Sequence, residues 1–107
     1  MRILEFEVKK QRLMKRQTCD FSGLVAGSIG YLHAKFHFSK DEWGSCTQKV
    51  ARFWIDDDEH AVFLDDDNRC EIPPEALVGD KFKVSVLGVA PGYSIETNKI
   101  CVKQEVT

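Results

Sequence analysis

The sequence predicts an all-β fold, an antiparallel sandwich or small barrel of about seven strands. Three observations predict it. Apolar and polar residues alternate with a period of two in one short segment after another. Clusters of turn-forming residues separate these segments at intervals of roughly 8–12 residues. No stretch carries the apolar stripe of a long helix; at most one or two short helical turns fit. With 107 residues the chain is read as a single domain over 1–107, with an N-terminal strand and glycine-rich connection over 1–30 and the core of the module over 31–104.

The first strand is Ile3 to Val8, where Leu4, Phe6 and Val8 share one face and Glu5 and Glu7 the other. The basic stretch Lys9 to Arg16 holds Leu13 and Met14; it reads either as a helical turn or as a Lys-rich edge strand, which discourages edge pairing. Asp20 to Gly30 carries Gly23, Gly27 and Gly30 around Leu24-Val25-Ala26, which is turn chemistry. Tyr31 to Phe38 is the clearest strand, with Leu32, Ala34, Phe36 and Phe38 alternating against His33, Lys35 and His37. Ser39 to Gly44 is a loop or single helical turn. In Gln48 to Ile55, aromatic and β-branched residues dominate, as strands prefer. Asp56 to Glu59 turns the chain into a returning strand, His60 to Leu64, and Asp65 to Asn68 turns it again into Arg69 to Ile72. Pro73-Pro74 stops that strand, because proline cannot donate to a ladder, and Pro74 to Leu77 makes one helical turn. Lys81 to Gly88 is the next strand, Ala90 to Tyr93 a turn, and Ser94 to Lys103 the last strand. The apolar parity of that strand changes after Asn98, which predicts a bulge or bend.

Composition narrows the class. Lys and Arg number 15 against 17 Asp and Glu, a formal net charge of -2. That balance argues against a chain whose task is to coat nucleic acid, and no specific nucleic acid is expected as a partner. No apolar run approaches the roughly 18 residues of a membrane span, so no membrane partner is expected. Glu5 and Glu7 interrupt the first apolar stretch, unlike a signal peptide. Cys19, Cys46, Cys70 and Cys101 are spread almost evenly, without the close pairs of a structural zinc site, and free thiols are expected rather than disulfides.

No catalytic, cofactor-binding or metal-ligating set emerges. The acidic runs 56–59 and 65–67 lack the alternate spacing, central glycine and closing bidentate acid of a calcium loop, and sit where hairpins turn. His33 and His37 lie on the polar face of one strand and would need ligands from neighbouring strands. Gly27-Ser28-Ile29-Gly30 lacks the lysine and helix of a phosphate loop. The chain is therefore expected not to be an enzyme and to need no cofactor.

The aromatic residues point elsewhere. Trp54 shares a strand face with Val50, while Ala51, Phe53 and Ile55 occupy the other, so this strand is apolar on both faces. Such a strand is either central or covered by a partner, since monomers seldom expose that surface. Arg52, Trp54, Trp43 and Tyr93 are candidate interface residues, because aromatics and arginine concentrate at interfaces. For Trp43, plugging one end of the core is the plainer role. Leu13 and Met14 join the candidates through the basic 9–16 segment.

From Leu32 to Val102 the chain carries several parts in order. They are Phe36-His37-Phe38 followed by Trp43, then Lys49 to Phe53, then Leu64 to Pro73 through Asp65-Asp66-Asp67-Asn68-Arg69-Cys70-Glu71-Ile72. Phe82 to Gly88 and Ile95-Glu96-Thr97-Asn98 complete them. This ordered pattern resembles a family of small immunoglobulin-like β-sandwich modules from the tail-gene region of long-tailed bacteriophages and prophages. The resemblance implies a structural protein of the virion, in the tail or baseplate, made in the bacterial cytoplasm. Its implied partners are other phage structural proteins and further copies of itself in a homo-oligomer. A carbohydrate-binding module that shows Trp43, Trp54 or Tyr93 to host-surface glycans is the alternative.

Overall fold

In a computed structural model that describes residues 1–107, two β-sheets pack face to face. The strands are β1 (Arg2–Lys9), β2 (Arg12–Lys15), β3 (Leu32–Phe38), β4 (Gln48–Ile55), β5 (Asp58–Phe63), β6 (Arg69–Glu71), β7 (Lys81–Ala90), β8 (Tyr93–Glu96) and β9 (Ile100–Lys103). One helical turn, α1 (Lys40–Trp43), follows β3, and a 3-10 turn over Pro74–Leu77 precedes β7. The first sheet has the order β2-β1-β3-β6; the second has β5-β4-β7-β8, with β9 also on β7.

The all-β sandwich is as the periodicity predicts, and two details differ. There are nine strands rather than about seven. Arg12–Lys15 is an edge strand, closed onto β1 by a two-residue hairpin in which Lys10 takes a φ of 52°. The last strand is broken at Thr97 to Lys99, so β8 and β9 both lie on β7. That break is where the parity of apolar residues changes. The second difference is direction: β1 pairs β3 in parallel, from Arg2 opposite Leu32 to Val8 opposite Phe38. In the immunoglobulin sandwich the sheets are antiparallel. The order of the second sheet is that of its strands C′, C, F and G, and the β3–β6 pair stands where B and E stand; the parallel first strand is the departure.

The alternation explains the core. Leu4, Phe6 and Val8 of β1, Leu32, Ala34 and Phe36 of β3, and Leu13 of β2 point inward from the first sheet. Ala51 and Phe53 of β4, with Phe82, Val84 and Val86 of β7, meet them from the second. Phe6 and Phe36 stack at 5.1 Å between ring centroids, and Phe21 from the connection meets Phe6 edge-on at 5.3 Å. The N-terminal strand is thus part of the core rather than an appendage to it. The glycine-rich connection crosses one end of the sandwich: Leu24 is buried, Ala26 N–H donates to Glu105 O, and Gly27 N–H donates to Leu77 O.

Candidate protein-docking face

In β4, the residues that alternate with Ala51 and Phe53 point away from the core. Pairing extends them across three strands. Val50 lies between Phe63 of β5 and Leu87 of β7; Arg52 lies between Ala61 and Ser85; Trp54 lies between Glu59 and Lys83. The outer face of the second sheet therefore carries an apolar row, Phe63-Val50-Leu87. Phe63 is 67% exposed at its end, and Val89 beyond Leu87 is 38% exposed.

Beside that row sits a fixed polar frame. Arg52 forms ion pairs with Glu59 of β5 and Glu96 of β8, a bridge across the sheet. The Arg52 hydrogen bond holds the Glu59 carboxyl below its ordinary value, and the charges of Arg52 and Lys99 add to it against desolvation. Trp54 Nε1 donates to the buried Ser85 Oγ at 3.0 Å. Lys99 Nζ lies 3.6 Å from the Trp54 ring centroid and Arg52 Cζ lies 4.8 Å from it, both in the range of cation–π attraction. These contacts hold Arg52 and Trp54 in place, so little side-chain freedom remains for either to lose.

The sequence-predicted interface residues do not gather at one place. Arg52 and Trp54 belong to the face. Trp43 does not: it is 1% exposed, its Nε1 donates to Lys10 O at 2.7 Å, and its ring packs on Phe38 at 4.9 Å. A Cβ at Gly88 would stand 2.6 Å from Trp43 Cζ3, so β7 supplies a glycine where the indole enters. Trp43 is a core plug, and the interface assignment is corrected. Leu13 is corrected likewise: it is 1% exposed, and its backbone is bound by Asn98. Met14 is half-buried on the outer face of the first sheet, opposite Glu7. Tyr93 is 42% exposed, and its hydroxyl donates to Glu42 O. With Trp43 sealed and two cations beside the Trp54 ring, Tyr93 is the exposed one of the three aromatics, and its hydroxyl is already engaged.

Sequence reasoning passed over Phe63 and Leu87. A signal existed for Phe63: His60-Ala61-Val62-Phe63-Leu64 is apolar at both parities between two acidic turns, so one of its faces had to point outward. Lys99 had no such signal, since its contact with Trp54 needs the break between β8 and β9.

Other polar groups have local partners. On the outer face of the first sheet, His37 Nε2 lies 2.7 Å from Glu5 Oε1 and 2.6 Å from Arg16 Nη1. The hydrogen bond from His37 chiefly holds Glu5 below its ordinary value, against desolvation and with help from Arg16. All four cysteines are unpaired; burial pushes the Cys70 thiol up to about 12 and raises Cys46 as well. Asp65 Oδ1 accepts the backbone N–H groups of Asp67 and Arg69, which makes the second acidic run a turn cap. No helix is long and apolar enough to cross a membrane. No protein-family model matches the chain, and no curated protein matches it.

Proposed function

We propose that this sandwich is a structural interaction module of a bacteriophage or prophage particle, of the tail or baseplate kind, and that it assembles through protein–protein contacts. One observation carries the docking role: the apolar row Phe63-Val50-Leu87 runs across three strands of an outer sheet face that borders a preorganised Arg52–Trp54 pair. Contiguous apolar surface with aromatic and arginine anchors is the composition of interfaces. The phage setting rests on the ordered strand-and-turn resemblance between Leu32 and Val102. The glycan alternative finds less support, because Trp43 is buried and the ring of Trp54 is covered by Lys99 and Arg52.

The test is the native mass by light scattering at micromolar concentration. A multimer is expected, and Phe63→Ser should reduce it to the mass of one chain. A strictly monomeric mass, together with no affinity for the structural proteins encoded beside it, would overturn the proposal. A change in tryptophan fluorescence with cell-wall sugars would favour the glycan reading instead.

A further inference from the structure

A β-sheet edge presents unpaired backbone groups, and most edges of this sandwich are closed by other parts of the chain. On β2, Leu13 N–H donates to Asn98 Oδ1 at 2.7 Å and Leu13 O accepts from Asn98 Nδ2 at 3.3 Å. On β6, Arg69 N–H donates to Asp65 Oδ1 and Arg69 O accepts from Asp65 N–H, each at 3.0 Å. On β8, Glu96 O accepts from Gln11 Nε2 at 3.2 Å, and β9 runs on to Glu105, which exchanges backbone bonds with Leu24 and Ala26. The edge of β5 is different. Leu64 N–H donates to Lys49 O, so by the alternation of an antiparallel ladder Asp58, His60 and Val62 bond to β4. Glu59, Ala61 and Phe63 aim their N–H and C=O groups away from the sheet, and nothing in the chain meets them.

The charge around this edge selects its occupant. Asp56, Asp57, Asp58 and Glu59 stand at one end of β5, and Asp65, Asp66 and Asp67 at the other. A second copy of β5 laid antiparallel, with Ala61 opposite Ala61, would set Asp57 against Asp65 and Asp56 against Asp66. Like charges so placed repel. A surface hollow of about 320 Å³ opens beside the far end, lined by Phe63, Leu64, Asp65 and Asp66, with Lys49 held at its wall by Asn68. We infer that β5 is a strand-addition site for an extended segment of a partner protein. That segment has an apolar middle and Lys or Arg at its ends. Main-chain bonds to Glu59, Ala61 and Phe63 supply the affinity, and the acidic ends supply the register. The inference rests on the docking reading above and names the chemistry of a partner, at the edge of the sheet rather than on its outer face.

The probe is a labelled synthetic peptide with two lysines at each end and valine alternating with threonine between them; its counterpart has glutamates at the ends. The lysine peptide should bind and slow amide hydrogen exchange at Glu59, Ala61 and Phe63 by about tenfold or more, while Asp58, His60 and Val62 stay as they were. Ala61→Pro removes an outward N–H without touching the ladder to β4 and should weaken binding by about tenfold. If that variant does not fold, the pair Asp57→Asn and Asp66→Asn decides, with an expected loss of about threefold and a flatter salt dependence. No binding at millimolar peptide, protection elsewhere, or equal binding of the glutamate peptide overturns the inference. A multimer by light scattering alongside failed peptide binding sinks the edge site alone. A monomer that binds the peptide sinks self-association through the outer face alone.

Discussion

The two sheets are alike inside and opposed outside. Both turn Phe and branched aliphatic side chains toward the core. The outer face of the first sheet carries Glu5, Glu7, Arg16, His33, Lys35, His37, Arg69 and Glu71, with Ile3 and Met14 as half-buried apolar members, a largely charged face laced by the Glu5–His37–Arg16 contacts. The outer face of the second carries Phe63, Val50, Leu87 and Val89 beside Arg52 and Trp54. An exposed apolar patch is the informative departure on a surface, so the difference between the outer faces is where function is to be sought.

The contrast would break if the apolar row were needed for folding. Trp43→Ala measures what the core itself is worth: it empties a buried site bounded by Phe38 and Gly88 and should cost about 3–5 kcal/mol in chemical denaturation. Asn98→Ala tests the clasp between the sheets. It leaves Leu13 N–H and C=O without their side-chain partner and should cost about 1–2 kcal/mol. Phe63→Ser and Lys35→Ser compare the two outer faces. Each should shift stability by no more than about 0.5 kcal/mol, but Phe63→Ser alone should change the native mass. A large stability loss for Phe63→Ser would show that the row belongs to the fold. The smallest effect is expected for Glu5→Gln. Because the folded carboxyl titrates below its ordinary 4.5, its contribution is complete above that pH and fades as pH falls through the lowered value. The stability difference between the two proteins should therefore be full above about pH 4.5, at about 0.3 kcal/mol for so exposed a pair, and should vanish as pH falls through the lowered value.

Much of the fold was legible because alternation is a local signal. Leu4-Phe6-Val8, Leu32-Ala34-Phe36 and Ala51-Phe53 are each found on the face that their spacing assigns. Pairing direction is not local, and nothing in Ile3 to Val8 tells a parallel neighbour from an antiparallel one. For the same reason Trp43 stands among the interface candidates, although the core plug is its plainer reading and is the role it has. Its own surroundings are polar, and the slot it fills is made by a glycine forty-five positions later in β7. At the site, Arg52 and Trp54 were legible from a strand apolar on both faces. Their partners Glu96 and Lys99 come from a different strand and a break, which only the assembled sheet brings together.

The parallel pair β1–β3 has a consequence for the speed of folding. An antiparallel neighbour could zip from a tight hairpin, as β2 does on β1. Arg2 must instead find Leu32 thirty positions away, and every rung up to Val8–Phe38 spans the same distance along the chain. Each such contact comes after the entropy of closing that loop has been lost, with no short turn to nucleate it. The hairpins β1–β2, β4–β5 and β7–β8 are placed to form early, in about 1–10 μs if they behave as isolated hairpins. The pairing of β3 beside β1 joins β3–β6 and β4–β7, whose partners lie about as far apart or farther along the chain, and such distant pairings place the fold on the millisecond-to-second scale of sandwiches.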